Sequence, residues 1–285
     1  MKVANTAAAP GWTEAEAPTV SAQQWKRSIW TAFAGFFIDF YDLYLPIIVL
    51  APAYAYFKPA EVNSPILESF IFATALLGRP LGALTFGYWS DRVGRKRVST
   101  IAMAGSAATV LLTAALPGYA NIGILSIILL IVLRFFTGFF VGGQYTGAVT
   151  LAMEACPARQ RGFYAALVTS SGNLSFVVMA LLGMAVLQIF PAGSADAPYS
   201  LYGWRIPFVV GAVLALIFLS YIKHNLEESK VWLQARSKGS PLTSLFSNVR
   251  IGRDLIQAFV LMIGLWLIYF VPAAILPATL RRLGS

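Results

Sequence analysis

The sequence predicts an all-α integral membrane protein, and three observations carry that reading. Of 285 residues, 58% are hydrophobic and only 12% are charged, whereas soluble domains are nearer a quarter charged. The apolar residues gather into seven runs, each long enough to cross a bilayer core of roughly 30 Å at about 20 residues per helix. The basic residues fall in short clusters between those runs. That is the charge pattern of membrane loops rather than a basic face for nucleic acid, so the net charge of +9 does not indicate a nucleic-acid partner.

Residues 1–24 are polar and rich in Ala and Pro, without a basic-then-apolar start; they read as a disordered cytoplasmic tail rather than a cleaved signal. Residues 25–222 hold six spans. The first runs from about Ser28 to Tyr56, behind Lys26 and Arg27. The second, about Ile66 to Trp89, ends in aromatic residues and then a dense charge cluster, Asp91 to Arg97. Trp and Tyr favour the headgroup level and Lys/Arg the cytoplasmic side. The third is about Val98 to Leu116, stopped by Pro117-Gly118; the fourth about Ile122 to Met153; the fifth about Gly162 to Phe190; the sixth about Trp204 to Ile222. Residues 223–254 mix charge with a short amphipathic pattern and read as a cytoplasmic linker. Residues 255–285 contain a seventh span, about Leu255 to Leu276.

Counting Lys and Arg sets the orientation. With the amino terminus inside, fifteen basic residues are cytoplasmic, four (Lys58, Arg205, Arg281, Arg282) are outside, and two (Arg79, Arg134) lie within spans. One cysteine, Cys156, and one histidine, His224, allow neither an intrachain disulfide nor a zinc-type ligand set. No zinc-protease pattern, nucleophile elbow or phosphate-binding loop is present, so neither an enzyme nor an ATP-driven pump is expected. No cofactor is expected beyond a coupling proton.

Ionisable groups inside the apolar spans are costly and usually functional. At about 1.5 Å per residue, Arg79 lies roughly 15 Å from the inner boundary, and Arg134 roughly 15 to 18 Å from the outer one. Asp42 lies roughly 22 Å from the inner boundary, with Asp39 one helical turn below it on a similar face. Asp42 and Arg134 are therefore expected to meet near mid-depth. Their pair is either a structural tie between helices or a proton-coupling device, in which the carboxylate alternates between the guanidinium and a proton. Arg79 suits a substrate carboxylate, which its planar fork can hold bidentately; the alternative is a partnership with Asp39 or a helix carbonyl. Tyr41, Gln144 and Asn173 are further candidate substrate contacts, each with an interhelical hydrogen bond as the alternative.

The run Gly87 to Arg97, GYWSDRVGRKR, closely resembles the cytoplasmic loop signature of the major facilitator superfamily, which joins its second and third helices. Arg134 with Gly138, Gly142 and Gly143 is similar to the family's fourth helix, and MEACPARQRG to its loop between helices four and five. RPLGAL, GWRIPF and LEES together look most like the metabolite:proton symporter branch, whereas IDFYDLYL also resembles phosphate:proton symporters and sugar porters. The resemblance implies a six-helix bundle of two three-helix repeats, and transport of a small organic anion or zwitterion with protons across the bacterial inner membrane. It implies that Asp42 takes the proton opposite Arg134, with Asp39 nearby. It also implies a cytoplasmic gate at Gly87, Asp91, Arg92, Gly94, Arg95 and Lys96, with Glu154 and Arg161 as local partners. The family has twelve helices. The expectation is therefore that these 285 residues correspond to the first seven, with the C-terminal half missing. The whole protein is then a monomeric transporter, or this chain is a truncated and inactive product.

Overall fold

The computed structural model describes residues 22–59, 65–144, 153, 156–225 and isolated positions between 252 and 264. The expected tail, most of the linker and most of the seventh span lie outside the described residues. The chain divides into two units, before and after Arg236, and the contacts below all belong to the first. Among the described residues there is no strand, and six helices are long and apolar enough to cross a membrane.

The first span differs from the unbroken helix that the sequence predicts. An α-helix, α1 (Ala22–Tyr44), passes into a π-helical turn at Leu45–Leu50 and a 3-10 stretch at Ala51–Tyr56. Pro46 explains where the change occurs. It has no N–H to give the carbonyl of Asp42, four residues earlier, so the regular ladder fails and the wider repeat takes over. The irregular backbone is repaid from elsewhere in the fold, since the Tyr199 hydroxyl donates to the carbonyl of Val49 at 2.7 Å.

Helix α2 (Pro65–Val93) and helix α3 (Arg95–Ala114) are separated by Gly94 alone. Gly94 has φ of 113°, a conformation that side-chain-bearing residues rarely adopt. The basic cluster is therefore not an extended turn. Asp91 and Arg92 end α2, and Arg95, Lys96 and Arg97 open α3. Leu116 and Pro117 lead through a single helical turn, Tyr119–Ile122, into α4 (Leu125–Gln144). A short 3-10 turn at Ala158–Gln160 precedes α5 (Arg161–Ile189), and a π-helical turn at Tyr199–Gly203 precedes α6 (Arg205–Asn225).

The packing has an internal symmetry. Helix α2 packs on α4 as α1 packs on α5, and α3 packs on α4 as α1 packs on α6. Helix α3 also packs on α6. Exchanging the first three helices for the last three maps this set of contacts onto itself, as two three-helix repeats require. The α2–α4 contact is the tightest. A side chain on Gly78 or Gly82 would land on the backbone of Phe135 or Phe139, and one on Gly138 or Gly142 on the carbonyls of Ala75 or Arg79. Both helices thus present glycines four residues apart, which lets the backbones touch. Much of the outer surface is apolar, with Leu77, Leu84, Leu181 and Met184 all more than 60% exposed, as suits a protein solvated by lipid.

Candidate functional site

The site begins on α1. Asp39 and Asp42 are one turn apart and share a face of the helix, and both are buried. Each meets an arginine from a different helix. Arg79 of α2 donates from Nη2 to Asp39 Oδ1 at 3.4 Å. Arg134 of α4 brings Nη1 to 3.8 Å from Asp42 Oδ1, an ion pair beyond hydrogen-bonding distance. The fork of Arg134 is also occupied on its other side, where Nη2 donates to Thr113 Oγ1 of α3 at 3.2 Å. Its flat face lies over the ring of Phe208 of α6 at 5.3 Å. Four helices therefore converge on one guanidinium that is only 1% exposed.

The two pairs differ in accessibility. The side chain of Arg79 is 21% exposed, against 1% for Arg134. Among the described residues, neither Arg79 Nε nor Arg134 Nε, both buried, has a hydrogen-bond partner. Pro80 follows Arg79 within α2, and the carbonyl of Arg79 lies against Gly142, so its backbone is held by the same close helix contact that defines the fold. An arginine with an exposed edge and a long contact to one carboxylate has room for a second carboxylate. One that is enclosed and held on three sides cannot do so without moving.

The other sequence candidates are distributed around this centre. Tyr41 is buried, and its hydroxyl donates to the carbonyl of Pro207 at 3.0 Å; its ring fits because position 211 is glycine. That contact ties α1 to α6, the interhelical alternative for this residue. Gln144 is buried, and neither end of its amide has a hydrogen-bond partner among the described residues. Asn173 lies on the exposed side of α5. At the opposite end from Pro117, Gly87 is within α2, and Arg92 stacks over the ring of Tyr88 at 4.1 Å. Gly94 forms the break, and Arg95 and Lys96 are half-buried in the first turn of α3. Arg161 donates from Nε to the carbonyl of Cys156 at 3.0 Å. The side chain of Asp91 and the whole of Glu154 lie outside the described residues.

Sequence reasoning missed three residues. Thr113 is an ordinary small residue in an apolar span, and nothing about it signals a partner for Arg134. Tyr199 sits in a loop-like PYS stretch. Arg205 was read only as an outside charge. It binds the carbonyls of Ala114 at 3.0 Å and Leu116 at 3.1 Å, the carbonyl of Leu201, and the Tyr56 hydroxyl at 2.9 Å.

Comparison with known proteins gives this geometry a family. The model of the Major Facilitator Superfamily matches residues 31–284. The chain is 33% identical over 222 residues to the shikimate transporter of Escherichia coli, covering 76% of this chain and 49% of that protein. It is 32% identical over 245 residues to the alpha-ketoglutarate permease of the same organism, covering 84% and 54%. A putative proline/betaine transporter of Staphylococcus haemolyticus is 33% identical over 219 residues, covering 75% and 45%. The chain thus spans about half the length of the curated relatives it matches. Among solved structures, a D-xylose-proton symporter shares the fold with a TM-score of 0.63 at 19% identity, over 85% of this chain and 55% of that one. A partially occluded, inward-open xylose transporter from E. coli does so with a TM-score of 0.60 at 21% identity, over 76% and 52%. With six apolar helices whose contacts repeat between the first three and the last three, a glycine-broken basic junction between the second and third, and a family match across most of its length, this multi-pass membrane protein belongs to the Major Facilitator Superfamily.

Proposed function

We propose that the chain carries the ion-coupling site of a proton-driven symporter for a small organic anion or zwitterion, working by alternating access. In this reading it lies in the plasma membrane with its amino terminus in the cytoplasm. The observation that carries the reading is the paired arrangement on α1, with Asp42 against an enclosed Arg134 and Asp39 against a partly exposed Arg79. When Asp42 is ionised, it neutralises Arg134. When Asp42 takes a proton, a buried guanidinium is left without its counter-charge, and an anionic group entering the cavity is favoured. Proton and anion then bind cooperatively, and the coupling is reciprocal. Arg79 offers the anion its exposed edge, and Gln144 supplies an unused amide for a polar substituent. A fixed site near mid-depth is where such carriers place substrate and coupling ion. At the other end of α2, Arg92, Arg95 and Lys96 form the cytoplasmic gate, with Asp91, Glu154 and Arg161 as its partners.

The named relatives support an organic acid or zwitterion, since shikimate, alpha-ketoglutarate and proline/betaine appear among them. The test is reconstitution in liposomes with an imposed pH gradient, using those labelled compounds, with D-xylose and inorganic phosphate as the alternatives. At least one organic acid or zwitterion should accumulate. Asp42→Asn should abolish that accumulation while leaving exchange of substrate across the membrane. Accumulation by Asp42→Asn equal to the unmodified protein, or uptake of xylose or phosphate alone, would overturn the reading.

A further inference from the structure

We propose that Thr113 is the positioning residue that sets the gap between Arg134 and Asp42, and with it the pH at which Asp42 exchanges its proton. The inference rests on Asp42 being the proton carrier. It adds a residue on α3 whose only chemistry is a hydroxyl.

The geometry gives that hydroxyl a defined role. A threonine hydroxyl has one proton to give and lone pairs to accept with. Thr113 Oγ1 lies 2.8 Å from the carbonyl of Thr109, one turn back on α3, and a carbonyl can only accept. The proton therefore goes to Thr109, and the oxygen is left to accept from Arg134 Nη2 at 3.2 Å. Thr113 is completely buried, so no water competes for it. The two terminal nitrogens of Arg134 are thereby divided. Nη2 is held by Thr113 within hydrogen-bonding distance, and Nη1 stands 3.8 Å from Asp42, outside it. The guanidinium leans toward the neutral hydroxyl and away from the carboxylate.

That lean matters because a nearby cation favours the charged carboxylate, and the effect steepens as the gap closes. Among the described residues, the other titratable groups acting on this pair are Arg79 of α2, Asp39 on the same helix and Tyr54 of the first span. The charged residues of α3, α5 and α6 sit at the ends of those helices (Arg95, Lys96 and Arg97; Arg161; Arg205, Lys223 and His224). Among the described residues, Arg134 is the cation in ion-pair contact with Asp42. Removing the hydroxyl frees Nη2 and lets the guanidinium close on Asp42 to ordinary hydrogen-bonding distance. The proton then binds less tightly, by about one pH unit at the effective dielectric of protein sites.

The test needs no substrate. The purified chain in lipid nanodiscs is titrated by infrared difference spectroscopy, following the carboxylic-acid carbonyl band that disappears in Asp42→Asn. Thr113→Val keeps the shape and loses the hydroxyl, and its midpoint should fall by about one pH unit. Thr113→Ser keeps the hydroxyl, and its midpoint should stay with the unmodified protein. Thr113→Ala serves if the valine variant does not fold and should shift in the same direction. A midpoint unchanged in Thr113→Val or Thr113→Ala, or shifted equally in Thr113→Ser, overturns the positioning role and leaves Asp42 as the proton carrier. Absence of any Asp42-dependent band at every pH overturns the proton role and this inference with it.

Discussion

Gly82 of α2 lies directly against the carbonyl of Phe139 of α4, with no room for a β-carbon between them. The obstacle is backbone, which cannot rotate aside as a side chain can. Gly78 meets Phe135 in the same way, and from the other side Gly138 and Gly142 meet Ala75 and Arg79. This four-glycine contact sets the spacing of the two helices that bring Arg79 and Arg134 to α1. Gly82→Leu should therefore force the helices apart and lower thermal stability in detergent, by an amount at or above the usual overpacking cost of about 1–3 kcal/mol. Gly162→Ala is the control, since a β-carbon there meets nothing within 4 Å. Equal melting of the two variants would show that the contact does not hold the helices.

The glycines of α4 were visible in the sequence, as were the helix ends and the ionisable groups within the apolar runs. Those signals are local, because apolar run length, punctuation and an unexpected charge can each be read along one strand of text. The partners of those groups were legible only where charge demanded them. Asp42 had to find a cation, and the sequence put Arg134 at a similar expected depth; in the structure the two form an ion pair. Arg79 was left open between a substrate and Asp39, and in the structure it contacts Asp39 at 3.4 Å. Neutral partners left no such trace. The hydroxyls of Thr113, Tyr41 and Tyr199 each act between separate elements, across 21, 166 and 150 residues, and hydroxyl residues in apolar spans look alike whether they bridge helices or bond their own turn. The break of α1 was also hidden, although Pro46 marks its position, because an apolar run reads the same in an α-helix and in a π-helical turn.

Cys156 gives a pH-dependent readout at the basic end of the bundle, outside the spans. It is buried, at 2% exposure. Burial pushes its thiol up, against the opposing pull of the Arg161 guanidinium. The thiolate is the reactive form, so alkylation below the titration point should rise about tenfold per pH unit. Because the thiol is raised, labelling of the folded protein by iodoacetamide should still be climbing past about pH 8.5, where an unperturbed cysteine bends over. The same protein unfolded in dodecyl sulfate should bend with the free amino acid. A folded-state profile that levels off at or below the unfolded one would contradict the buried placement of this thiol.

The last four carbonyls of α3 have no partner within their own helix, and Arg205 answers part of that need from α6. Its Nε donates to Ala114 and its Nη2 to Leu116, while Nη2 also reaches the Tyr56 hydroxyl and Nη1 the carbonyl of Leu201. The guanidinium also lies over the rings of Trp204 and Tyr56, at 4.6 and 5.1 Å. One planar group thus joins the end of α3, the end of the first span and the turn before α6. A lysine keeps the charge, but a single ammonium cannot serve acceptors spread around a fork. Arg205→Lys should lose at least one charge-assisted bond to a part-buried carbonyl, worth about 1.5–3 kcal/mol, and Arg205→Met should lose them all. The expected order of melting in detergent is unmodified protein, then lysine, then methionine, with Lys223→Met, an exposed charge near the far end of α6, unchanged. Ala114 neighbours Thr113, so the same clamp fixes the backbone that presents the hydroxyl to Arg134. Loosening it should broaden the infrared titration of Asp42 as well as lower the melting point. A lysine variant that melts with the unmodified protein would reduce Arg205 to a surface charge, and the end of α3 would then need another support.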